Sequence, residues 1–254
     1  MKRTFSFAGR NLKELLRDPL SYIFCLGFPL VMLIVMTMVN SSIPKEANMT
    51  IFRIDNLSAG IAVFGLTFIM LFTCLSVSKD RAGSFLVRLY ASPMRPFDFI
   101  AGYLLPVFLL SLIQMLITFV ASVIIGLISG TELDILGCLI AIPALIPLSI
   151  TMISLGLLFG TLFNDKAAPG LCSIIISLAS FLGGVWFDCE ALDGFLSTMC
   201  NVLPFFHGTK AGRLAIAMQL DEIWLHIGVT SAYAAVITIV SIIVFRSKMK
   251  ADLS

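Results

Sequence analysis

The sequence predicts an all-α, polytopic membrane protein: six transmembrane helices, an N-terminal interfacial amphipathic helix, and a short amphipathic helix between the second and third spans. Three observations predict it. Of the 254 residues, 59% are apolar and 13% charged, where soluble domains carry about 25% charged residues. The mean hydropathy is +1.03. The apolar residues gather in six runs, each long enough to cross a core of about 30 Å at 1.5 Å per residue, and the charges lie between the runs or at their edges.

Residues 1–19 read as an amphipathic helix. Phe5, Ala8, Leu12, Leu15 and Leu16 recur at three and four residues, while Arg10, Lys13, Glu14 and Arg17 face away. Such a helix lies along a membrane surface. Asp18-Pro19 ends it, because proline cannot continue a helix. The long polar lead and the long apolar run after it do not read as a cleavable signal peptide. The spans are expected at 20–39, 57–77, 99–128, 135–163, 167–187 and 223–245, giving one membrane domain over 20–245 and a tail at 246–254. Pro106, Pro143 and Pro147 are candidate kinks in the third and fourth spans.

Lys and Arg counts orient the chain. Alternate connecting segments sum to 13 basic residues on one side and four on the other. Both termini and the 79–97 connection are therefore expected in the cytoplasm, with Trp186 and Trp224 at the outer interface. The 79–97 connection carries four basic residues, Lys79, Arg81, Arg88 and Arg95, against Asp80 alone. At helical spacing Phe85, Leu86, Leu89 and Tyr90 share one face. Ser92-Pro93 ends the pattern, so a helix is expected over 80–92. Two readings stay open: an interfacial anchor, or a handle for a soluble partner.

The outer segment 188–222 begins with the acidic cluster Asp188, Glu190 and Asp193 and continues apolar through Leu203. It is expected to dip into the membrane from outside and to add a surface helix over 210–220, serving either as a gate or as a packed cap. Cys25, Cys74, Cys138 and Cys172 lie within apolar runs as small packing residues. Cys189 and Cys200 both fall in the outer segment, and their separation leaves a bridge between them open.

Several function classes are excluded. Ion-coupled transporters and intramembrane enzymes keep ionisable residues inside the bilayer, and here every Asp, Glu, Lys and Arg lies outside the apolar runs or at their edges. There is no buried nucleophile–base pair, so no catalytic residue is named. His207 and His226 read as separate interfacial residues rather than metal ligands, so no metal is expected. The phosphate-cradling pattern Gly-x-x-x-x-Gly-Lys-Ser/Thr is missing. If ATP is used, another chain binds it.

The chain resembles the membrane subunits of type-2 ABC exporters, the group that includes drug-resistance and polysaccharide-export permeases. The likeness runs from Lys13-Glu14-Leu15-Leu16-Arg17-Asp18-Pro19 and Gly27-Phe28-Pro29 to Leu203-Pro204-Phe205-Phe206-His207 and Ala211-Gly212-Arg213. It is most specific at Arg81-Ala82-Gly83-Ser84-Phe85 through Leu89-Tyr90-Ala91-Ser92-Pro93-Met94-Arg95-Pro96. The family often has a Glu-rich lead into that glycine and a Thr after it; here Lys79-Asp80-Arg81 and Ser84 stand in their places.

The resemblance implies a non-enzymatic permease that pairs with a second permease chain, identical or homologous. The pair would dock two copies of a soluble ATPase subunit, which binds the ATP and magnesium. The 80–92 segment would be the cytoplasmic coupling helix, with Arg81, Gly83, Phe85, Arg88, Leu89, Tyr90 and Pro93 as its coupling residues. Gly83 would permit close backbone approach, and Arg81 and Arg88 would pair with ATPase carboxylates. Membrane lipid is the remaining partner, and no nucleic acid is expected.

Phe64, Phe68 and Phe72 recur every four residues on the second span, and Phe181 lies near the outer end of the fifth. The stripe lines a substrate path, or it faces lipid or the partner chain. A charge-free path would suit an amphiphilic or apolar cargo: a drug, an antimicrobial peptide or a lipid-like molecule. Export of a polyprenyl-linked polysaccharide is the alternative within the family, and a membrane scaffold without transport is the alternative outside it.

Overall fold

The computed structural model describes residues 2–44, 50–83 and 96–251. Among these residues there are nine α-helical elements and no strand. In chain order they are α1 (Lys2–Arg17), α2 (Pro19–Ser42, with a π turn at Ile23–Gly27), α3 (Ile54–Ala82) and α4 (Pro96–Ser129). Then follow α5 (Ile135–Leu162), α6 (Ala168–Leu182), α7 (Phe195–Val202), α8 (Pro204–Ile216) and α9 (Ile223–Ala251).

Five helices, α2 to α5 and α9, are long and apolar enough to cross a membrane. The expected fifth span, 167–187, is a helix of only 15 residues. At about 22 Å it falls short of a core of about 30 Å. The cause is the glycine pair after Leu182. Gly183 donates its N–H to Ala179 O at 2.9 Å, and Gly184 takes φ 67°, a left-handed value open to glycine. The chain turns there into a 3-10 turn at Cys189–Ala191.

The bundle is organised around α3. It is 83% buried over its apolar window, against 17% for α2 and α9, which leave most of their surface to lipid. It packs on α2, α4, α5, α6 and α8. The contact with α5 is close because α5 offers Gly156 and Gly160. A Cβ on Gly156 would sit 2.4 Å from Met70 O, and one on Gly160 would sit 2.6 Å from Cys74 O. Small residues four apart let two backbones touch, the usual route to helix association in lipid. Pro106 lies inside α4, and Pro143 and Pro147 inside α5; neither helix ends at them.

Three expectations are corrected. The first concerns α1, whose buried face is Thr4, Phe7, Ala8 and Asn11, packed on α4, while Phe5 and Leu16 are exposed. The helix has apolar residues on two faces, and the face opposite Gly102 wins because Phe7 fills the notch that this glycine leaves. The second concerns the outer segment. Its helix is α8, which is buried along nearly its whole length against α3, α5 and α9 rather than lying on the surface. Gly208, Ala211, Gly212 and Ala215 make it narrow enough to embed. The third concerns the start of the 80–92 helix. Lys79, Asp80 and Arg81 are the last turn of α3 itself, which runs unbroken to Ala82. The rest of that expected helix lies outside the described residues.

Candidate functional site at the base of the 84–95 segment

The chain leaves α3 at Gly83 and re-enters the bundle at Pro96, the start of α4. Both ends of this excursion are held by one polar cluster, with α1 laid across them.

The centre is Asp80, 7% exposed on the last turn of α3. Arg10 grips its carboxylate with two nitrogens: Nη1 donates to Oδ2 at 2.9 Å and Nη2 to Oδ1 at 3.1 Å. The Tyr103 hydroxyl, from α4, donates to Oδ2 at 2.8 Å. Paired parallel N–H donors matched to a carboxylate are among the strongest side-chain contacts. Arg10 also donates to Glu14 at 2.7 Å and to Asn11 Oδ1 at 3.0 Å. Asn11 Nδ2 in turn donates to Gly102 O at 3.0 Å. Partial burial works against the charge of Arg10. Its hydrogen bond to Asp80 and the charges of Asp80 and Glu14 outweigh that, and its pKa stands above the ordinary arginine value.

The returning end is fixed from the same helix. Thr4 Oγ1 donates to Asp98 Oδ1 at 2.5 Å. Phe7 meets Phe99 and Tyr103 edge-on, with centroids 5.9 and 5.1 Å away. Val77, Ile100, Leu157 and Phe245 close the apolar side of the cluster. Helices α1, α3, α4, α5 and α9 therefore meet where the chain leaves α3 and enters α4.

The expected coupling residues divide here. Arg81 turns back into the bundle, and its Nη1 donates to Gly160 O at 3.3 Å and to Thr161 O. These carbonyls end α5, where the last turn lacks helical partners and carries the negative end of the dipole. Gly83 caps α3, donating its N–H to Lys79 O at 3.0 Å. Its φ of −81° suits any residue, and a Cβ there would lie 3.4 Å from Lys79 O, an ordinary contact. No close approach in the described structure requires glycine at 83. Phe85, Arg88, Leu89, Tyr90 and Pro93 lie outside the described residues.

The aromatic stripe is covered within the chain. Phe64, Phe68 and Phe72 are each under a tenth exposed. Phe68 packs on Phe24 and Phe28 of α2 at 6.0 and 5.5 Å; Phe64 packs on Phe28 at 5.8 Å and Trp186 at 5.3 Å. Phe72 lines a groove of about 440 Å³ beside α1 and α2. Phe181 is apart from these three; it is half exposed and stacks on Phe187 at 5.0 Å.

At the other end of the bundle, Arg213 holds three elements together, donating Nε to Asn56 O at 3.1 Å and Nη2 to Gly184 O at 2.7 Å. Burial lowers its pKa, with the charges of Asp188 and Cys189 opposing the shift. His207 and His226 form a pair that sequence spacing does not reveal, with Nδ1 to Nδ1 2.8 Å and His207 Nε2 to Asn201 O 2.8 Å. A carbonyl only accepts, so His207 carries its proton on Nε2 and, when both rings are neutral, His226 donates from Nδ1. Among the described residues no group of three or more metal-ligating side chains occurs.

Cys189 and Cys200, between which spacing left a bridge open, are both free thiols buried in one cluster with Leu182 and Phe206. Burial pushes the Cys189 thiol up to about 12, helped by a hydrogen bond with Cys200. At pH 8 it is therefore protonated and unreactive, because the thiolate is the nucleophile. Maleimide labelling at pH 8, read by mass spectrometry, should leave both unmodified in the folded chain and modify both after denaturation. Rapid labelling of Cys189 in the folded chain would contradict this packing.

A protein-family model described as ABC-2 type transporter matches residues 3–216, from α1 through α8. No curated protein matches the chain.

Proposed function

The chain belongs to the ABC-2 type transporter family, and from that premise we propose that it is the membrane subunit of an exporter driven by a separate ATPase. It is a multi-pass membrane permease. In the proposed complex it pairs with a second permease chain, identical or homologous, and the pair docks two ATPase subunits at the 84–95 segment. Both termini face the cytoplasm, and the cargo is an amphiphilic or apolar compound.

The observation that carries this reading is the polar cluster under the 84–95 segment. A segment that transmits force must be fixed at both ends, or displacement is lost in loop motion. Here Asp80 and Arg81 fix the departing end and Asp98, Phe99 and Tyr103 fix the returning end, with α1 joining the two. Arg81 acts as the brace to α5, and Arg88, Leu89 and Tyr90 meet the ATPase. The bilayer-spanning parts of α2 to α5 carry no carboxylate pair or proton relay, which agrees with an energy source outside the chain.

The test is capture of the tagged chain from its native membranes with any bound soluble ATPase, followed by ATP hydrolysis in the presence of candidate amphiphiles. Arg88→Glu should leave membrane insertion intact. It should lower cargo-stimulated hydrolysis about fivefold, the weight of one exposed ion pair at its upper range. Unchanged turnover in that variant would remove Arg88 from the contact. Failure to co-purify with any ATPase would remove the reading as a whole.

A further inference from the structure

A groove of about 440 Å³ lies between α1 and α2 on one side and the last turns of α3 on the other. Phe72, Leu75, Leu15 and Leu20 make its apolar surface, and charged groups stand along its rim. The rim acids are engaged inside the protein. Arg10 takes Glu14 and Asp80. Asp18 caps α2, accepting from Leu20 N at 3.1 Å and from Ser21 Oγ at 3.0 Å. The rim cations differ. Arg17 and Lys79 are exposed, and among the described residues neither has an ion-pair partner or a side-chain hydrogen bond. Lys13, one turn before Arg17 on α1 and outside the groove's own lining, is exposed nearby, and with Arg10 it brings the basic residues here to four against the three acids.

The groove also sits at a defined depth. Arg17 immediately precedes the span Pro19–Ser42, and Lys79 lies on the last turn of the span Ile54–Ala82. Cations here stand at headgroup level, with Leu75 and Phe72 about one and two turns deeper. Beside the groove, Leu16, Leu20 and Ile23 are exposed, so it opens onto the lipid-facing surface.

We propose that this groove binds one anionic phospholipid of the leaflet on the N-terminal side, its phosphate between Arg17 and Lys79 and an acyl chain over Phe72, Leu75 and Leu20. Only a ligand with a charged head and an attached apolar tail uses both halves. A free phosphate leaves the apolar half wet, and a zwitterionic head brings its own cation against Lys13, Arg17 and Lys79. The site stands on the membrane placement of the chain alone, so its failure and the failure of the exporter reading are separate results.

The test uses the full chain in detergent, titrated with phosphatidylglycerol or phosphatidylcholine and read by native mass spectrometry. Phosphatidylglycerol should bind in preference. Replacing both cations, Arg17→Gln with Lys79→Gln, should weaken it about 25-fold, about fivefold for each cation near the surface, and leave the phosphatidylcholine adduct unchanged. The conservative exchange Arg17→Lys with Lys79→Arg should restore binding, and Lys166→Gln, an exposed cation elsewhere, should have no effect. Among the described residues neither target side chain has a partner, so both variants should keep the wild-type thermal transition. Wild-type affinity in the double Gln variant would overturn the proposal. So would displacement of the lipid by millimolar inorganic phosphate, which would identify a free-phosphate site.

Discussion

Asp80→Asn should lower the thermal midpoint of the purified chain by on the order of 5–10 °C. The substitution preserves shape and removes the charge that Arg10 grips with two nitrogens. Removing one partner of a buried ion pair costs about 3–5 kcal/mol. Arg10 keeps about a third of its side chain exposed (32%) and retains Glu14, so the loss here should be about 2–3 kcal/mol. A double-mutant cycle with Arg10→Met separates the pair from its surroundings. The two changes should be non-additive by about 1–3 kcal/mol, because the second removes a contact already broken. On the proposed function, the same variant should also uncouple cargo from ATP hydrolysis in the reconstituted complex, since the last turn of α3 loses its anchor to α1. Additive effects in the cycle would show that Arg10 and Asp80 do not act together.

Gly156→Val on α5 should prevent the bundle from assembling. The new Cβ would fall 2.4 Å from Met70 O and 2.6 Å from the Thr73 Cβ, and the nearest of these is backbone that no rotamer change can move. Gly160→Val meets the same obstacle, 2.6 Å from Cys74 O and 2.8 Å from the Val77 Cβ. The α3–α5 contact must open, and with it the α5 end that Arg81 holds. Overpacking a well-filled contact costs about 1–3 kcal/mol, and more where backbone must separate. Gly156→Ala carries the same Cβ and should already force α3 and α5 apart and lower stability, and Gly156→Val, with two further methyl groups, should elute as aggregate on size exclusion. A monodisperse Gly156→Val peak at the wild-type position would show that α3 and α5 do not touch there.

How legible the protein was depends on whether a feature is local. The break at Asp18-Pro19 fell where the sequence placed it, because capping and the proline ring act within four residues. The end of α6 is marked by Gly183-Gly184, but hydropathy stays high to Phe187, so the apolar run extends past the helix. The glycine spacing of Gly156 and Gly160 was equally visible, and small residues four apart in an apolar run are a packing signal. Asp80 was different. As the one acid in a basic stretch it falls at the start of the expected 80–92 helix, and only the approach of Arg10 and Tyr103, 70 and 23 residues away in sequence, shows it buried. The His207–His226 pair and the cover that Phe24, Phe28 and Trp186 place over the aromatic stripe have no sequence signature either.

Composition and the spacing of apolar runs determined by themselves that this is an all-helical membrane protein, where most of its helices lie and which charged segment connects the second and third spans. Those properties come from transfer of each segment out of water, a sum over neighbouring residues. Which face of α1 is buried, what holds the end of α3 to the start of α4 and which helix occupies the centre were decided only by the tertiary structure. In lipid every apolar face is equally at home, so hydrophobicity cannot choose among them. The choice falls to close fit and to polar groups that must find partners from distant parts of the chain.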